Sequence, residues 1–122
     1  MSLGLKIYLV DCGGRVMYPP GHERCYGPTT TLNVEPSYTI AEVFQGLRAE
    51  DYAGLFKREL LAFKLNPGKD NAYQEFFSND MQLYDRDIIL RTQHIFVITS
   101  DEYHIRLYGK PGNLANPPAY YR

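Results

Sequence analysis

The chain lacks several features that would assign it to a protein class at once. Its 122 residues contain no tryptophan and only two cysteines, and its 13 basic and 14 acidic residues leave a formal net charge of −1. Because the charge is balanced and no run of Lys or Arg exceeds two residues, we expect no nucleic acid partner. Two cysteines are also too few for a disulfide scaffold.

Long apolar segments are missing as well. No segment approaches the roughly 18 apolar residues that a membrane span needs, and the amino terminus lacks the basic-then-apolar layout of a signal peptide. We therefore expect a cytoplasmic protein with no membrane span and with free thiols. The hydrophobic fraction of 44% argues against disorder. We expect one domain over residues 1–110 and a proline-containing tail over residues 111–122.

The most informative stretch of the chain runs from Thr29 into the first predicted helix. Residues 29–34 are rich in β-branched side chains, and apolar residues alternate with polar ones, which predicts a strand with one buried face. Pro36 has no amide hydrogen, so the strand should end before it. Thr39 and Glu42 form a T-x-x-E capping box. A helix should therefore begin at Ile40.

This helix has one apolar stripe. Its apolar residues follow the i, i+3, i+4, i+7 spacing of a helix that lies across a sheet. They are Ile40, Val43, Phe44 and Leu47. Gly46 lowers helix propensity, so it indicates either close packing against a neighbour or an early helix end.

Five further segments read as strands and one as a helix. The predicted strands are Leu5–Val10, Tyr52–Phe56, Leu60–Leu65, Ile95–Ile98 and His104–Tyr108. Ile95–Ile98 is the most apolar run, which favours a central position in the sheet. Aromatic and apolar residues between Tyr73 and Leu83 predict a second short helix, and residues 66–71 predict a turn. The connection over residues 11–28 is unusually long.

The string T-L-x-V-E-P-S-x-T-I-x-x-V over residues 31–43 resembles the second strand and first helical turn of the ubiquitin-like β-grasp superfamily. The resemblance implies an α+β fold in which a mixed sheet packs on one main helix. The long connection then becomes an extended loop between the first two strands, and the last predicted strand becomes an extra carboxy-terminal strand.

The resemblance also implies a function. Ras-association domains and the first lobe of FERM modules are members that recognise other proteins, small GTPases among them, along the second strand and first helix. On this chain the matching partner-binding residues are Lys6, Thr29, Thr31, Asn33 and Arg48. The implied protein is a non-enzymatic interaction module, a regulatory domain of a larger signalling protein, with no cofactor and no catalytic or metal-binding residue.

The tail contains a second candidate interaction motif. Pro117, Pro118 and Tyr120 form a P-P-x-Y string, which can adopt a polyproline helix and dock on the aromatic groove of a WW domain. A solvated tail is the plainer interpretation of the same four residues.

The long loop leaves a different class of function open. Cys12, His22, Glu23 and Cys25 lie in or beside it, and thiolates with an imidazole can ligate a metal or form a nucleophilic pair. The alternative hypothesis is therefore a small metal-binding protein or a thiol enzyme. The spacing matches no common structural zinc site.

Overall fold

A computed structural model describes residues 2–21, 26–50, 54–64 and 75–108. Strands and helices alternate irregularly along the chain, and the fold is α+β. The strands are Leu3–Val10 (β1), Thr30–Val34 (β2), Leu60–Lys64 (β3), Glu75–Phe76 (β4) and His94–Thr99 (β5). The α-helices are Ile40–Glu50 (α1), Asp87–Thr92 (α2) and Ser100–Tyr108 (α3), and Leu83–Asp85 forms a short 3-10 helix.

The five strands form one mixed sheet in the order β2-β1-β5-β3-β4. β1 runs parallel to β5, whereas β2 pairs with β1, and β3 with β5 and β4, in antiparallel fashion. β5 lies in the centre, as its apolar sequence predicts. Its residues Val97 and Ile98 point to opposite faces of the sheet and both are fully buried.

At the amino terminus of α1, every amide that has no acceptor within the helix finds one elsewhere. The predicted capping box is confirmed: the Thr39 amide donates to Glu42 Oε1 (3.1 Å), and the Glu42 amide donates to Thr39 Oγ1 (3.2 Å). The amides of Ile40 and Ala41 donate to main-chain carbonyls in the segment 79–81 (3.0 and 2.9 Å). The start of α1 is therefore joined to a distant part of the chain.

The apolar stripe of α1 packs on one face of the sheet, which we call the inner face, and forms the main core. Buried residues from all four longer strands meet it there, among them Leu5, Ile7, Ala62 and Val97. Gly46 indicates close packing rather than a helix end. A Cβ at this position would lie 3.1 Å from Cδ2 of Leu32 in β2.

The opposite, outer face of the sheet carries a second, smaller core. Val10, Phe63 and Ile98 are its buried members. Tyr103 of α3 packs against it, with its ring 4.8 Å from that of Phe76. α3 thus covers part of the outer face, while α1 covers the inner one.

The predicted carboxy-terminal strand is wrong, because residues 100–108 form helix α3. Thr99 Oγ1 accepts a hydrogen bond from the Glu102 amide (3.2 Å), which caps the helix. Asp101 and Glu102 lie in the first turn, where negative charge is favoured. The alternation of apolar residues over His104–Tyr108 is compatible with a helix, so the cap decides the outcome.

The predicted strand over Tyr52–Phe56 is wrong where it is described, since residues 54–56 form a turn and residues 51–53 lie outside the described range. Gly54 has a φ of +75°, which a strand does not accommodate. The Lys57 amide closes the turn on the Gly54 carbonyl (3.2 Å). The side chain of Phe56 in this turn is buried, with 1% exposure.

The second predicted helix is also wrong. Glu75 and Phe76 form the short edge strand β4, in which Phe76 is opposite Phe63 of β3. The Phe77 amide then donates to the Ala62 carbonyl (2.9 Å), which extends this pairing by one more bond. The strand predicted over Leu60–Leu65 is confirmed over Leu60–Lys64 as β3, and residue 65 and the predicted turn over residues 66–71 lie outside the described residues.

Candidate partner-binding edge

β2 forms one edge of the sheet. Its ladder to β1 runs from Leu3 opposite Val34 to Ile7 opposite Thr30. Within the described ranges no strand pairs with the other side of β2. Edge strands present unpaired main-chain groups to which another extended chain can bind.

Main-chain directions show which residues of β2 face outward. The Lys6 amide donates to the Gln93 carbonyl (2.8 Å), so the main-chain groups of Lys6 point towards β5. Its neighbours Leu5 and Ile7 therefore point towards β2, where they are opposite Leu32 and Thr30. It follows that Leu32 is bonded to β1, whereas the intervening residues of β2, Thr31 and Asn33, turn their amides and carbonyls to the free edge.

Three of the predicted partner-binding side chains lie together on the outer face. Lys6 is directly opposite Thr31, and Asn33 is opposite Gly4, one pair further along the same face. All three side chains are exposed. The structure thus places the cation of β1 beside the hydroxyl and the amide that the edge strand β2 exposes.

Thr29 has a different position. Its hydroxyl accepts from the Leu9 amide (3.0 Å) and donates to the Met17 carbonyl (2.8 Å). Its own amide donates to the Ile7 carbonyl (2.8 Å). Thr29 therefore fastens the long loop to β1, and its hydroxyl is committed to internal bonds.

Arg48 lies away from this edge. Gly46 marks the flank of α1 that approaches β2, because it is the residue in contact with Leu32. Two positions along a helix correspond to a rotation of about 200°, so Arg48, although exposed, projects from the opposite flank. Glu42, at i−4 from Gly46, shares the β2-facing flank. Of the residues predicted for this surface, only Lys6 brings positive charge to it.

A group of aromatic side chains lies near Lys6 on the outer face, and it was not predicted from the sequence. The ring of Tyr8 stacks on Phe96 (5.1 Å between centroids) and meets His94 edge-on (5.1 Å). His94 is opposite Lys6 in the β1–β5 ladder. The alternation within β1 places Tyr8 on the same face as Lys6, but its neighbours on β5 depend on a parallel pairing that the sequence alone does not specify.

Cys12 does not have the surroundings of a reactive thiol. Its amide donates to Glu102 Oε2 (2.9 Å), and a hydrogen bond from the thiol to the Glu102 carboxylate raises the thiol pKa above its ordinary value. Partial desolvation and the negative charges of Glu102 and Asp11 raise the pKa further. Nucleophilic cysteines need the opposite shift, towards the thiolate.

The remaining residues of the alternative hypothesis, His22, Glu23 and Cys25, lie outside the described residues, as do Pro117, Pro118 and Tyr120 of the tail. Within residues 2–21, 26–50, 54–64 and 75–108, no group of three or more His, Cys, Asp or Glu side chains is arranged to hold a metal ion. The helices described there are all too short or too polar to cross a bilayer. No family model, curated protein or solved structure matches the chain.

Proposed function

We propose that the chain is a ubiquitin-like β-grasp domain. The sheet order β2-β1-β5-β3-β4, with β1 parallel to β5 and α1 crossing the inner face, supports this assignment. The strand, proline and capped helix over residues 31–43 support it independently, since they carry the sequence resemblance. The long loop after β1 and helix α3 on the outer face are additions to that core.

On this fold we propose a non-enzymatic protein-interaction module that acts as a regulatory domain of a larger signalling protein. The observation that carries the proposal is the free edge of β2. Thr31 and Asn33 turn their main-chain groups outward there, and their exposed side chains lie beside Lys6. An extended segment of a partner would add a strand to this edge, with main-chain bonds supplying affinity and side chains supplying specificity.

The charges near β2 do not by themselves select a class of partner. Small GTPases present an acidic effector surface to their ubiquitin-like partners, and such a surface would meet Lys6 on the outer face. Glu42 lies on the flank of α1 nearest β2, and Arg48 lies on the far flank. The strand-pairing mode therefore carries the proposal, and a GTPase is the first partner to test rather than one that the charges select.

The test is an NMR titration of the whole chain with a panel of GTP-loaded small GTPases. A binder should move the amide signals of Thr31 and Asn33 most, since their amides face the incoming strand. If no GTPase shifts residues 29–48, the GTPase version is refuted. Shifts confined to a surface away from β2 would refute the edge itself.

Proline substitution supplies a matched pair of variants. Asn33→Pro removes an outward amide, and proline is tolerated in edge strands where the amide faces solvent, so the variant should fold and lose partner binding. Leu32→Pro removes an amide that is bonded to β1, leaves the partner carbonyl without a donor, and should destabilise the sheet by about 1–3 kcal/mol. Equal unfolding of both variants would contradict the outward direction of Asn33.

A further inference from the structure

The sheet divides into a fork at one end. β3 pairs with β5 only as far as Phe63 opposite Phe96. One residue further along β3, Lys64 pairs with Glu75 of β4. In β5, the two residues before Phe96 pair with β1 instead of β3. β3 and β5 therefore separate beyond Phe63 and Phe96 and leave a gap between them.

An apolar pocket of about 260 Å³ occupies this fork. α2 closes it on the inner side. The apolar walls are Phe63, Phe77, Ile88, Ile89, Ile95 and Phe96. Most of these side chains are buried, so the walls are held by the two cores of the domain.

Few polar groups line the pocket, and they differ in whether they can bind a ligand. The Thr92 hydroxyl donates to the Ile88 carbonyl (2.6 Å) and accepts from the His94 amide (3.3 Å), so it is committed to the end of α2. Lys64 and the His94 imidazole remain as the groups that can meet a ligand. No Asp or Glu is among the described lining residues.

A second cation lies close to one of the walls. The Arg86 guanidinium stacks over the ring of Phe77, 5.7 Å from its centroid. The pocket thus combines an apolar interior with a positive side, a combination that suits a ligand with a hydrophobic body and one negative end.

We propose that this pocket binds a compact hydrophobic carboxylate, with its body among the three phenylalanines and its carboxylate beside Lys64. The volume is below the roughly 300–1,000 Å³ of pockets for drug-sized ligands. At roughly 30 Å³ per non-hydrogen atom, close to the share of a water molecule in the liquid, it holds about nine atoms. A medium-chain fatty acid or a small arylalkanoic acid has this size.

The probe is sodium octanoate, titrated into the isotope-labelled whole chain and followed by NMR. We expect saturable shifts centred on Ile88, Thr92 and Ile95, with a Kd on the order of 0.1–1 mM, as befits a ligand of this size. Octanamide has the same body without the charge and should bind about two- to fivefold more weakly, because it cannot pair with Lys64.

Two variants separate the parts of the pocket. Lys64→Met keeps the aliphatic stem and removes the charge, so octanoate affinity should fall by about two- to fivefold while octanamide affinity stays unchanged. Ile88→Trp fills the cavity from a half-buried position and should abolish the shifts from both probes. Because Lys64 is exposed, its replacement leaves the core intact.

Several results would overturn the proposal. Octanamide binding as tightly as octanoate would remove the role of charge, and octanoate binding unchanged by Ile88→Trp would place the ligand elsewhere. No saturable shift up to 10-fold above the expected Kd would exclude the site. The edge variant Asn33→Pro should bind octanoate normally, so failure of the proposed partner-binding function is distinguishable from failure here.

Discussion

Replacing Thr39 tests how much the capping box contributes to the stability of α1. In Thr39→Ala the Glu42 amide loses its acceptor at 3.2 Å, and the Glu42 carboxylate loses its 3.2 Å contact to the hydroxyl. Loss of a threonine cap typically costs about 0.5–2 kcal/mol. The amides of Ile40 and Ala41 keep their acceptors in the segment 79–81. Only one amide is therefore exposed to water, and we expect a loss of about 1 kcal/mol.

Substitution of Glu42, the other member of the capping box, completes a double-mutant cycle. Glu42→Ala removes the acceptor of the Thr39 amide at 3.1 Å, an exposed bond that should contribute about 0.5 kcal/mol. Because the two side chains contact each other, the double variant should lose less than the sum of the single losses. Thr39→Ser keeps the hydroxyl and is the matched control.

Urea unfolding followed by far-ultraviolet circular dichroism gives the free energies, with an unchanged m-value as the sign that the folded state is intact. For a domain of this size, 1 kcal/mol corresponds to a Tm about 3–6 °C lower. Strict additivity in the cycle, or a Thr39→Ala loss below about 0.2 kcal/mol, would refute the view that the reciprocal box holds this helix end.

Two further predictions concern a close contact and a thiol. Gly46→Ala adds a methyl 3.1 Å from Leu32 Cδ2, but gains about 1 kcal/mol of helix propensity, so its free energy of unfolding should change by less than about 0.5 kcal/mol, whereas the larger Gly46→Val should destabilise by about 1–3 kcal/mol. Urea unfolding of both variants is the check, and a valine variant as stable as wild type would contradict the packing. Because Glu102 raises the pKa of the Cys12 thiol, its alkylation by iodoacetamide should reach half-maximal rate only above the ordinary thiol pKa. Glu102→Gln should lower that midpoint, read by peptide mass spectrometry across pH 7–10; an unchanged midpoint would remove Glu102 as the cause.

Local signals account for the parts of the fold that the sequence predicts. The capping box and the apolar stripe specify α1 from residues that are close together in the chain, and the predicted helix start at Ile40 is confirmed. The two-residue strand β4 depends instead on pairing of Phe76 with Phe63, which is a long-range contact. The same limit applies to α3, where the apolar alternation fits two structures and the Thr99 cap decides between them.

The candidate site, too, was predictable only where local sequence signals determine it. The cluster of Lys6, Thr31 and Asn33 follows from the pairing of two strands that the sequence predicts. The position of Arg48 does not, because it depends on which flank of α1 meets β2, and that is set by the contact between Gly46 and Leu32. The fork that opens the apolar pocket depends on where two ladders end, and no local pattern marks that point.

The parallel pairing of β1 with β5 has a consequence for the order in which the chain can fold. During synthesis β1 and β2 emerge early and can form their hairpin at once, but the other side of β1 needs residues 94–98. Until those residues leave the ribosome, the edge that becomes the centre of the sheet is open to other chains. A nascent chain that stops before residue 94 therefore exposes the unpaired edge of its β1–β2 hairpin, and the addition of His94–Thr99 covers that edge.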